Sequence, residues 1–307
     1  MKHLKNNLEQ TCVCSSHLLQ SEFEKQIDGF YQLRKSCPAL QLTISDKILE
    51  QHIAFTKSPP DASHHSSVPF LAYRRGLLGD FTKSLHRLVI GKEITNQYKS
   101  DLQETWVLES DEISRFNKFR NYQSRLAELD FAKWLEAEKW EISNLEAYGG
   151  LFDVEANSST QEVVNFEVKF LAQREIVFEL IRNSFTNPTV ARLGVYSPVD
   201  YLLFRLYEAA QQLKDSTAHS IAVAIVEDYQ LSFKTILSEI DWNNPQFLKR
   251  DSEISAFLEE KYKENSNLNA DLITAIKSLD EIWILRYNNN FELELCIDFK
   301  LHPNSKT

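Results

Sequence analysis

The chain has 307 residues, of which 43% are hydrophobic and 25% charged. That is an ordinary globular composition, with length enough for two domains or one large domain with an extension. Its 34 Lys+Arg against 44 Asp+Glu leave a formal net charge of −10, which argues against non-specific coating of nucleic acid and leaves room for a local basic groove. The 7 glycines never fall into G-x-G-x-x-G, G-x-x-x-x-G-K-[ST] or G-x-S-x-G, so glycine-built phosphate cradles and the nucleophile elbow are excluded.

Cys12, Cys14, Cys37 and Cys296 are too few and scattered for a disulfide framework, and MKHLKNNLEQTC has no apolar stretch after its lysines. The chain reads as reduced and cytoplasmic. It has no membrane segment, because a run such as IAVAIV (221–226) falls far short of the roughly 20 residues that cross a bilayer.

Phe23, Ile27, Phe30, Tyr31 and Leu33 carry helical spacing, and KSPPDASHHSSVP (57–69) then interrupts all periodicity. Residues 1–110 are therefore expected to be a mainly helical region containing a flexible loop at 57–69, with an α/β domain and its C-terminal extension over 111–307. The stretch 70–94 is basic, and a solvated helix face accounts for it. SRLAELDFAKWLEAEKW (124–140) places Leu126, Leu129, Ala132 and Leu135 in a 3–4 rhythm, which predicts a helix.

Strand-like segments follow: EISNLEAY (141–148), a Gly149-Gly150 turn, LFDVEA (151–156), the polar NSSTQ, and EVVNFEVKFLA (162–172). Pro198 opens a helix over 199–216. HSIAVAIVEDY (219–229) has the unbroken apolar run of a strand covered on both faces. Residues 247–279 look helical, and EIWILRY-NNN-FELELCIDF (281–299) reads as a hairpin.

Chemistry concentrates at Asp153, Glu167 and Lys169. Glu167 and Lys169, two apart on a strand, project from one face, while Val168 turns the other way. If the second and third strands form a hairpin centred near Thr160, Asp153 and Glu167 lie equally far from the turn and meet. Two carboxylates that close repel unless a cation lies between them, and oxygen donors suit a hard ion such as Mg²⁺ or Mn²⁺. An adjacent lysine can orient the attacking water or take its proton.

This pattern resembles the PD-(D/E)XK nuclease superfamily over about residues 115–228. The resemblance implies a restriction-endonuclease-like core of helix, three-stranded meander, helix and strand. Asp153 in FDVEA matches the family's aspartate, with Phe152 in place of the proline that names the motif, and Glu167 and Lys169 in FEVKF match its E-x-K. It implies that Asp153, Glu167 and the Val168 carbonyl bind the metal, that Lys169 positions the water, and that Glu128 corresponds to a first-helix glutamate carried by many members. Glu128 also stands out by itself, because Phe131, Ala132 and Leu135 continue its helix face, and a carboxylate on a buried stripe needs a partner.

RFNKFRNYQSR (115–125) holds Arg115, Lys118, Arg120 and Arg125 without an acid, interleaved with Phe116, Phe119 and Tyr122. Such cations neutralise phosphates and such aromatics stack on unpaired bases, although spacing by threes equally describes a buried helix stripe. The expected function is metal-dependent hydrolysis of nucleic acid, DNA ahead of RNA. The alternative is a catalytically inactive nuclease-like binding or assembly module. The resemblance also leaves room for a homodimer, or for a protein partner on the N-terminal region. Cys12, Cys14 and His17 lack a fourth zinc ligand nearby, His64-His65 sits in the expected loop, and Gln173 stands at a strand end.

Overall fold

Residues 38–57, 93–171, 198–226, 268–288 and 292–301, with scattered positions between 25 and 35 and at 237–238, are described by a computed structural model. The expected loop past Lys57, the basic stretch up to Lys92, Cys12, Cys14, His17, His64, His65, Cys37 and Gln173 lie outside the described residues, as does 247–267. The chain divides into two compact units, Met1–Leu126 and Ala127–Thr307. The division falls inside a long helix and not ahead of it at 110/111.

In the first unit the described elements are helices: α1 (Pro38–Thr43), α2 (Asp46–Lys57), α3 (Asn96–Thr105) and the opening turns of α4 (Glu112–Ala137). The Thr95 side chain caps α3 by accepting from the Tyr98 N–H at 3.3 Å, which satisfies one of the donors that a helix start leaves open. Ile44, Leu49, Leu102, Trp106, Phe119 and Tyr122 form its core, with the Trp106 and Tyr122 rings edge to face at 5.7 Å.

The second unit is built on a mixed six-stranded sheet in the order β1 (Glu141–Leu145), β2 (Val154–Asn157), β3 (Val163–Leu171), β4 (His219–Val226), β5 (Glu281–Tyr287) and β6 (Leu293–Lys300). The pairs β1–β2, β2–β3 and β5–β6 are antiparallel, while β3–β4 and β4–β5 are parallel. Parallel neighbours require crossovers, and helices α5 (Pro198–Leu213) and α6 (Leu268–Lys277) lie within the two connecting segments. β4 is buried from Ser220 to Val226, as expected of a central strand covered on both faces.

Alternation along β3 sorts the faces. Phe166 meets Phe131 of α4 at 5.3 Å between ring centroids, and Trp140 and Trp283 close an aromatic cluster around it at 5.5 and 5.4 Å. On the other face α5 and α6 bury Leu206, Ala210, Leu213, Leu272 and Ile276 against Ala222, Ala224, Ile282 and Ile284. The architecture is α/β, and the expected hairpin at 281–299 is β5–β6. Among the described residues no helix is long and apolar enough to cross a membrane.

Candidate metal centre

Two turns assemble the site. β2 and β3 pair Val154 with Phe166 and Asn157 with Val163, a register centred on Thr160, and one further step sets Asp153 beside Glu167. β1 and β2 pair Leu145 with Val154, and the next step sets Glu146 beside Asp153, where the Glu146 N–H donates to the Asp153 carbonyl at 3.2 Å. Three carboxylate residues thus occupy adjacent places across three strands.

The turn between Glu146 and Asp153 depends on its glycines. Glu146–Tyr148 forms one 3₁₀ turn that ends on Gly149 at φ 92°, a left-handed conformation that costs a side chain dearly. Gly150 donates to the Leu145 carbonyl at 3.0 Å. A Cβ on Gly150 would stand 2.9 Å from the carbonyl carbon and oxygen of Leu145, so the backbone itself fills that space.

Asp153 precedes the paired part of β2, and its Oδ2 accepts the Val168 N–H at 2.6 Å. Strand N–H groups point in the sheet plane, so the carboxylate lies in that plane beside β3, where β2 has not yet begun. The C=O of a strand residue points to the same side as its N–H, so the Val168 carbonyl opens toward Asp153 too. Glu128 reaches the same place from α4, whose Phe131, Ala132 and Leu135 are fully buried. Ligand oxygens of Glu128, Glu146 and Asp153 lie within 4.8 Å of one another.

Glu167 is 2% exposed, and its Oε1 accepts from Lys169 Nζ at 2.6 Å. Lys169 also donates to Gln212 Oε1 of α5. The Asp153 carboxyl is held well above the usual carboxylate range, first by burial, then by the charges of Glu128 and Glu167; the Lys169 ammonium and the Val168 N–H pull it down. Among the described residues, Glu128, Glu146 and Asp153 therefore converge, with Glu167 and the Lys169 ammonium near enough to act on Asp153. Compared with protein families, curated proteins and solved structures, the chain matches none.

Of the residues singled out in the sequence, Asp153, Glu167, Lys169, Val168 and Glu128 are gathered here. Glu146 was not among them. The argument that relates Asp153 to Glu167 across Thr160 would have found it if repeated at Gly149-Gly150, since Glu146 and Asp153 lie equally far from that bond.

The cations of 115–125 are differently placed. They lie on the part of α4 that belongs to the first unit, where Arg115 is buried and donates to the Glu109 and Ser110 carbonyls at 2.9 Å. Lys118 pairs with Glu104 and Glu109. Arg125 pairs with Asp101 at 2.8 Å and lies over the Tyr98 ring. Arg120 is half-buried, with its Nε enclosed and without an acceptor among the described residues. Phe116, Phe119 and Tyr122 are core residues, so the aromatic triplet serves packing and is not presented for base stacking.

Proposed function

We propose that the protein is a divalent-metal-dependent nuclease whose sheet and flanking helices form a restriction-endonuclease-like core. The observation that carries this reading is the meeting of Glu128, Glu146, Asp153 and Glu167 beside Lys169. The donor set fits Mg²⁺ or Mn²⁺: every side-chain ligand is oxygen, and the Lys169 ammonium only partly offsets the burial and like charges that raise the Asp153 carboxyl. Asp153, Glu128 and Glu146 would hold the ion, and Glu167 and the Val168 carbonyl would be further oxygen donors to it. A bound ion of this kind supplies charge stabilisation at phosphoryl oxygens and a more acidic water.

The chain's own groups do the rest. Lys169, tethered by Glu167, orients the attacking water, and Asp153 lies beside β3 on its Val168 N–H. The order of elements from α4 to β4 (helix, three antiparallel strands, helix, parallel strand) supports the same family-like core. DNA is the favoured substrate class.

The test is incubation of the purified protein with single- and double-stranded DNA and RNA in Mg²⁺, Mn²⁺ or chelator, beside Asp153→Ala and Lys169→Ala. Cleavage that needs the metal and disappears in both variants is expected. Degradation that survives both substitutions rejects the site. Binding of nucleic acid with no cleavage by the wild type would replace this reading with that of an inactive binding module.

A further inference from the structure

We infer that Gln212 is a positioning residue for Lys169, an assignment that rests on the nuclease reading above. An ammonium has three N–H donors in tetrahedral array. Lys169 directs one to Glu167 Oε1 at 2.6 Å and a second to Gln212 Oε1. Those acceptors come from different elements, β3 and α5, so together they fix where the third donor points. With Glu167 alone, two residues back on the same strand, the ammonium could swing about that bond on its flexible stem.

The end of α5 is well placed for this. Ala209, Ala210 and Leu213 seat the helix in the core. Just beyond it, the Asn165 amide donates to Ser216 Oγ at 2.8 Å. β3 and the C-terminal end of α5 are therefore linked twice, through Asn165 and through Lys169, and both β3 residues stand on the face that carries Glu167.

The chemistry of the acceptor matters as much as its place. A carboxylate at 212 would add a further acid to a site already crowded by Glu128, Glu146, Asp153 and Glu167. The acid one turn earlier, Glu208, is engaged by Arg205 at 2.5 Å. A neutral amide oxygen takes the Lys169 donor without deepening that repulsion.

In the hydrolysis, the water oxygen forms a new bond to phosphorus while the bond to the leaving ester oxygen breaks. The leaving oxygen gains a proton, and the water's proton passes to solvent. The third Lys169 donor holds the incoming oxygen in line for this displacement. Its loss should reduce turnover and leave ground-state binding alone.

The experiment is a double-mutant cycle on the full chain with Mn²⁺ and a fluorophore-labelled oligodeoxynucleotide, comparing Gln212→Ala, Lys169→Ala and the pair. Gln212 is exposed, so Gln212→Ala should fold, and unchanged thermal unfolding checks this. Expected are a fall in kcat of about tenfold or more for Gln212→Ala, an unchanged KM, partial recovery in Gln212→Asn, and no further loss when Gln212→Ala is added to Lys169→Ala. A wild-type kcat in Gln212→Ala, or full additivity with Lys169→Ala, overturns the role of Gln212 and leaves the nuclease reading standing. A wild type that cleaves no oligonucleotide with Mn²⁺, or with Mg²⁺ in a parallel assay, overturns both.

Discussion

Asp153→Asn separates charge from shape at the proposed metal centre. The carboxyl is pushed up from 3.8 by burial and by Glu128 and Glu167, so its folded state binds the proton more tightly than the unfolded chain does. Below pH 3.8 both states are protonated and the full stability is present. As pH rises, the unfolded chain ionises first, and stability falls by about 1.4 kcal/mol per pH unit until the folded carboxyl ionises as well. Asparagine has no such proton, and its amide oxygen can still accept from the Val168 N–H. In chelator the variant should therefore gain on the wild type with rising pH, by up to about 3–6 °C in Tm per pH unit for a unit of this size.

A divalent ion should reverse the order. At a hundred times its Kd it adds about 2.7 kcal/mol to the wild type, and it should add much less to Asp153→Asn. Thermal and urea denaturation from pH 4 to 8, in chelator and in Mg²⁺ or Mn²⁺, read the two effects through the fluorescence of the Trp134, Trp140 and Trp283 cluster. A variant less stable than the wild type in chelator at neutral pH would refute the account of Asp153 as a carboxylate strained by its neighbours. Wild-type stability indifferent to both ions would refute the metal centre.

Gly150→Ala should destabilise the second unit by about 1–3 kcal/mol and weaken metal binding, read by denaturation and by titration with Mn²⁺, because its Cβ would displace the Leu145 carbonyl. His52 donates from Nε2 to the Trp106 carbonyl at 2.6 Å, and burial lowers its pKa to about 4. The unfolded chain therefore takes up a proton that the folded chain refuses. Stability should drop by about 3 kcal/mol as pH falls from 6.5 to 4, and His52→Gln should flatten that slope in denaturation followed through the first unit. Phe166→Ala, at the centre of the aromatic cluster, should cost about 3–5 kcal/mol in urea unfolding.

The legible parts of the chain were those where pattern and environment coincide. β4 is apolar from Ile221 to Val226, where every residue is buried, so that run alone marks it as central. The β2–β3 hairpin was legible because NSSTQ can only be a turn, and a turn's centre dictates what faces what. Glu146 escaped because EISNLEAY reads as one strand. The chain leaves β1 at Leu145 and enters a 3₁₀ turn, which periodicity over three residues cannot reveal. Lys118 and Arg125 looked available for phosphates because their partners, Glu104 and Asp101, come from an adjacent helix that the acid-free run does not contain. Gln212 carries no signal in a helix rich in polar residues, since its contact with Lys169 depends on how α5 crosses β3.

The elements that carry the four acids are fastened too firmly to relieve their repulsion by moving apart. α4 brings Glu128 in and is held to the sheet by Phe131 on Phe166 and by Trp134 on Trp283 at 6.0 Å. Glu146 and Asp153 are locked by the Glu146 N–H and by glycine packing that tolerates no extra atom. Glu167 is buried on the strand next to the most enclosed one in the sheet. The Lys169 ammonium acts on Asp153 against these charges, and α5 holds it in place. Two ways to lower the energy at Asp153 are to bind a proton, as its raised carboxyl does, or to bind a cation. A proton on Asp153 removes the charge that a phosphodiester-cleaving metal would require, so the two compete. Cleavage should therefore decline on the acidic side more steeply at low Mg²⁺ than at saturating Mg²⁺, and a pH–rate profile that does not respond to metal concentration would count against this competition.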